Sequence, residues 1–110
     1  MARLTAAFWV QAYLTRLRGE NIPAFVVAHG DDTAGAVLIK LNTLDGQAVV
    51  YQRSFDLMTG ARQWAELTGG PEAEVDAAIA RQRGFYPDLW VIEVEDRAGR
   101  HLLDAPGLSD

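Results

Sequence analysis

The chain has 110 residues, ten of them basic and fifteen acidic, for a formal charge of −5. That length suits one domain, and a composition 49% hydrophobic and 23% charged is that of a globular protein, not a disordered one. The lack of cysteine excludes disulfides and thiolate metal sites. The acidity, with Lys40 as the sole lysine, argues against nucleic-acid and anionic-lipid partners, which call for Lys and Arg.

Thr5, Gln11, Thr15 and Arg16 interrupt the first apolar residues, so neither a signal peptide nor a membrane span is expected there. Together with the absent cysteines, this points to the cytoplasm. Leu4 to Arg18 reads as a helix. Ala6, Val10, Tyr13, Leu14 and Leu17 share one face, with Trp9 at its edge. Thr5 is its expected N-cap and Gly19 its stop.

Strands follow at Ala24–Ala28, Ala36–Asn42, Gln47–Phe55 and Arg62–Thr68. In the second, Val37, Ile39 and Leu41 alternate with Lys40 and Asn42. The Asp45-Gly46 pair supplies a hairpin turn. These strands read as an antiparallel meander. Gly69-Gly70-Pro71 then breaks the sheet and opens a second helix, with Glu72 and Glu74 in its first turn and Arg81 and Arg83 in its last, as the helix dipole favours. Val75, Ala78 and Ile79 form its packing face, and Gly84 its expected stop. In Leu89–Glu95, Trp90, Ile92 and Val94 face one way, and Val91, Glu93 and Glu95 the other.

The pattern predicts an α+β fold: helix, three to four strand meander, helix, strand. Its sheet is mostly antiparallel, with both helices on one face. The last strand returns through a helical crossover, which leaves it free to pair in parallel with a neighbour. Residues 1–103 are expected to form a single compact domain, and residues 104–110 a loose C-terminal tail.

Several segments resemble a known set of short bacterial proteins, domain-of-unknown-function family 1491. They are Phe8–Leu14, Ala34–Leu38, Gln52–Leu57, Glu72–Asp76 and Asp88–Asp96. The likeness spans nearly the whole chain. It implies a bacterial origin and one compact domain, and it carries over no catalytic residue.

Few constellations carry chemistry. His29 with Asp31 and Asp32 offers a nitrogen and two carboxylates, but a solvated turn is the reading favoured, and no metal is expected. Glu93 and Glu95 share a strand face, the raw material of a catalytic carboxylate pair. The plainer reading pairs them across strands with Lys40, Arg53 or Arg62 on a wet face. Ser54 has neither a nucleophile elbow nor a placed base. Thr68, Gly69 and Gly70 form a strand-to-helix junction of the kind that binds phosphate. Pro71 removes a donor there, and Glu72 and Glu74 repel an anion. Leu4, Phe8 and Ala12, with Trp9 beside them, lie away from the core face of the first helix and mark either a subunit contact or a side that the domain itself covers, for instance with its tail.

The sequence therefore reads as a non-catalytic intracellular binding or protein-interaction module, without a cofactor, that forms a homodimer through the first helix or meets another protein. The alternative is a small transferase or hydrolase built on the Glu93/Glu95 face or the Thr68–Gly70 junction.

Overall fold

The computed structural model describes residues 5–108. The elements run α1 (Ala6–Gly19), β1 (Ala24–Ala28), β2 (Val37–Asn42), β3 (Gln47–Phe55), β4 (Arg62–Pro71), α2 (Glu72–Phe85) and β5 (Trp90–Glu95). Thr5 caps α1, its hydroxyl oxygen accepting the Phe8 N–H at 3.2 Å. Ala6, Val10, Tyr13, Leu14 and Leu17 are buried as the 3.6-residue period requires, and Trp9 is buried with them. The helix α2 runs through Gly84 to Phe85, one residue past the expected stop.

The sheet order is β1-β5-β2-β3-β4. The β1·β5, β2·β3 and β3·β4 ladders are antiparallel, and β2·β5 is parallel. The meander is therefore confined to β2, β3 and β4, because β5 enters between β1 and β2. The chain between β1 and β2 is longer than a tight hairpin loop, and it arches over the start of β5. Asp31 N–H donates to the Asp88 carbonyl at 2.9 Å, Trp90 N–H donates to Ala36 O at 2.8 Å, and the Trp90 indole donates to Asp31 O at 2.7 Å. A Cβ on Gly30 would lie 2.3 Å from Asp88 O, so glycine is what lets the arch sit this close.

The expectation of both helices on one face is overturned. The face bearing Ile39, Leu41, Trp90, Ile92 and Val94 packs against α1. The other, bearing Leu38, Val50 and Val91, packs against Val75 and Ile79 of α2. The cause lies in the central strands. Val37–Leu41 and Trp90–Val94 are apolar but for Lys40 and Glu93, so Leu38 and Val91 leave the second face apolar enough to need cover as well. One cover is α1; the other is the α2 crossover that links β4 to β5.

Of the tail expected at residues 104–110, the described part, 104–108, packs on the domain. Leu103 and Leu108 are buried in the core beneath α1. The Trp64 indole donates to Leu108 O at 3.1 Å, and Arg16 donates to Pro106 O at 3.4 Å. Leu108 is the anchor within the expected tail, and Leu103 ends the domain before it.

Candidate functional site

Covering the second face brings charges together. Lys40 on β2 stands in register with Glu93 on β5. Glu72 and Asp76, four residues apart on α2, project from one helix face onto the same spot. The Lys40 ammonium lies 2.7 Å from Glu72 Oε2, 2.8 Å from Asp76 Oδ1 and 3.5 Å from Glu93 Oε1. Asn42 knits the acids together, its Nδ2 donating to Glu72 at 3.1 Å and to Glu93 at 3.2 Å. Lys40 is only 4% exposed.

Burial alone would lower the lysine pKa. Here the hydrogen bonds to Asp76 and Glu72, with the charges of Glu93 and Asp76, outweigh it and hold Lys40 above its ordinary 10.5. An ammonium in that state has donors and no lone pair. Its three donors point at the carboxylates of α2 and β5. These ion pairs join α2 to β2 and β5 and so pin the helix to the sheet.

Beside the pin lies an open cavity of about 280 Å³ between α2 and β1. Val27 and Val91 line it from the sheet and Ile79 from the helix, with Asp76, Glu93 and Lys40 also on its wall and Arg83 reaching it from α2. Val27 follows Phe25 by two residues on the same face of β1, and the ladder shifts register between Val26 and Ala28. Its strand is unusual: β1 is a sheet edge, yet Phe25, Val26 and Val27 are 51%, 43% and 53% exposed.

The sequence-predicted residues divide as follows. Glu93 enters the Lys40 cluster, on a covered face instead of a wet one. Glu95 sits half-buried opposite Asn42 and shares no hydrogen bond with Glu93. Thr68, Gly69 and Gly70 belong to β4 itself, paired with Val50, Val49 and Ala48, and the Glu72 N–H donates to Gly46 O. The expected junction is thus part of the sheet and its hairpin and not a separate loop. His29 Nε2 meets Asp32 Oδ1 at 2.7 Å and the ring packs on Trp90, while Asp31 accepts the Thr33 and Ala34 N–H groups. Among the described residues no group of three or more His, Asp or Glu is placed to hold a metal. Ser54 pairs with Gln63 within the β3·β4 ladder.

On α1, Phe8 is 59% exposed and Ala12 half-buried. Trp9 turns inward, stacked on Tyr13 with centroids 4.9 Å apart and tilted against Trp64, so it is removed from the expected contact. Leu4 lies outside the described residues. Sequence reasoning missed Asn42, Glu72 and Asp76 as site residues and missed the bare edge of β1. The usable signal was the near-continuous apolar runs of β2 and β5. They imply two covered faces, and hence buried company for Lys40.

No curated protein matches the chain. Among solved structures, a crystal structure of a DUF1491 family protein from Caulobacter crescentus CB15 is 35% identical, with a TM-score of 0.83 over 92% of this chain and 95% of that one. An NMR structure of a DUF1491 family protein from the same organism gives 34% and 0.78, over 92% and 93%. A solution structure of a protein from A. tumefaciens gives 26% and 0.71, over 86% of each chain. The family model for "Protein of unknown function (DUF1491)" matches residues 4–104, and the chain belongs to that family.

Proposed function

We propose that the protein is a non-catalytic interaction module of the bacterial cytoplasm, and that β1 is its contact strand. The observation that carries this reading is the contrast between the two sheet edges. The edge strand β4 bears Arg62, Gln63 and Glu66, the charged and polar residues that discourage strand addition. The other edge strand, β1, reads Ala-Phe-Val-Val-Ala, with no charge and three consecutive exposed apolar residues. An exposed edge of this kind is a template for an added strand. The salt bridges that hold Lys40 support a non-catalytic role. The test is affinity capture from the native cell with wild type and Val26→Lys side by side. A protein held by wild type and lost from the folded variant supports the reading. Identical captured sets contradict it.

A second reading has its own observation. Exposed Phe8 flanks a shallow cavity of about 440 Å³, lined by Ala12 and Arg16 of α1 and by Gly107 and Leu108. A two-fold dimer through this side would hide Phe8, because the symmetry makes the patch its own partner. Light scattering over a concentration series decides it. Mass that rises in wild type but not in Phe8→Asp supports the dimer, and a constant monomer mass removes it.

A further inference from the structure

We propose that His101 is a pH-sensitive latch, which holds the chain from Leu102 to Leu108 on the domain while its imidazole is neutral. The latch is one hydrogen bond with a fixed direction. The Leu103 N–H donates to His101 Nδ1 at 3.0 Å. Only a neutral imidazole keeps a lone pair to accept it, because both ring nitrogens of the protonated form are donors. Protonation sets donor against donor at the point where the chain turns. Leu102, in the middle of that turn, sits at φ 61°, the left-handed region that a leucine enters only under constraint. Leu103 and Leu108, beyond it, are both buried in the core.

His101 is held from two elements. Its carbonyl accepts the Tyr13 hydroxyl of α1 at 2.8 Å, and its ring packs on Tyr51 of β3, with centroids 4.8 Å apart. Burial pushes both tyrosine hydroxyls up, so neither is charged in the neutral range. Glu66 of β4 stands opposite Tyr51, and Arg53 of β3 lies over the Trp9 and Trp64 rings. The neighbouring Arg100 is bound to Asp96. Burial holds the imidazole below its ordinary 6.5, against the charge of Asp104, which favours the protonated ring. The latch is therefore fully present above 6.5 and is lost as pH falls toward the lower folded value. Its release frees the Trp64 indole from Leu108 O and takes Gly107 and Leu108 from the wall of the cavity beside Phe8.

The test is an NMR titration of the ¹⁵N-labelled full chain from about pH 8 to about pH 5, across the ordinary histidine range. The control is His101→Asn, whose side-chain oxygen can accept the same N–H and does not titrate. In wild type the imidazole should titrate below 6.5, and the Leu103 amide and Trp64 indole signals should move with that midpoint. At about pH 5 the Leu103 and Leu108 amides should exchange about tenfold faster than in His101→Asn at the same pH, the effect of one lost hydrogen bond. A wild-type ring that titrates while the Leu103 and Trp64 signals stay still would overturn the latch, whether or not the variant folds. Equal pH responses in wild type and His101→Asn would overturn it as well.

Discussion

The two faces of this sheet are held by different forces. On one, α1 lays six buried side chains against Ile39, Leu41, Trp90, Ile92 and Val94, and Leu103 and Leu108 close the rim. On the other, α2 buries only Val75 and Ile79, and a lysine with three acids does much of the fastening. Apolar packing is non-directional and does not titrate. An ion cluster is directional and depends on protonation. The lesson is that a buried charge cluster beside a cavity, the usual mark of an active site, can instead be the fastener of a crossover helix too polar to dock by its side chains alone.

The largest effect is expected on the α1 face. Trp90→Ala removes a buried indole and its bond to Asp31 O, and should cost about 3–5 kcal/mol in chemical unfolding. A loss well under that range would mean that the arch over β5, not the ring, holds this end of the sheet. On the α2 face, Lys40→Met leaves three carboxylates without their cation. The cost should be about 3 kcal/mol, at the lower end for a broken buried pair because Asp76 is largely exposed. If Lys40→Met is neutral, the two faces do not differ as argued.

The pH dependence sharpens the contrast. The folded pKa of Lys40 is raised, so its stabilisation is fully present below 10.5 and is lost as pH rises toward the higher folded value. Burial also pushes the Tyr13 hydroxyl up, and its contribution fades over the same alkaline range from 10.0. The Lys40 share is therefore the difference in alkaline slope between wild type and Lys40→Met. Equal slopes would contradict a shifted lysine. The smallest effect is expected at Glu95, which takes no part in the cluster. Glu95→Gln should change stability by less than about 0.5 kcal/mol, and a larger loss would restore Glu93 and Glu95 as a working pair.

Much of this fold was legible in the sequence. The Thr5 cap, the inward face of α1 and the alternation of β5 follow from local chemistry, and so does the burial of Trp90. The face taken by α2 did not. Its helix carries two buried residues, and so weak a stripe does not say which side of a sheet it covers. Lys40 and Asn42 alternate with Ile39 and Leu41 as wet residues do, and only tertiary cover distinguishes a wet face from a buried ionic one. The order β1-β5-β2 is a long-range fact, set by a loop that arches over a strand some sixty residues away in the chain.

The central claim is that the Lys40 cluster fastens α2 to the sheet through a charged ammonium. Because Lys40 is the sole lysine, ¹³C-labelled lysine gives one side-chain signal, free of overlap. Its titration by NMR reads the ammonium directly. The account predicts a midpoint above 10.5 in the folded protein, moving back toward that value in Asp76→Asn. A midpoint below 10.5, drifting toward neutrality, would contradict it and make Lys40 a candidate base or nucleophile.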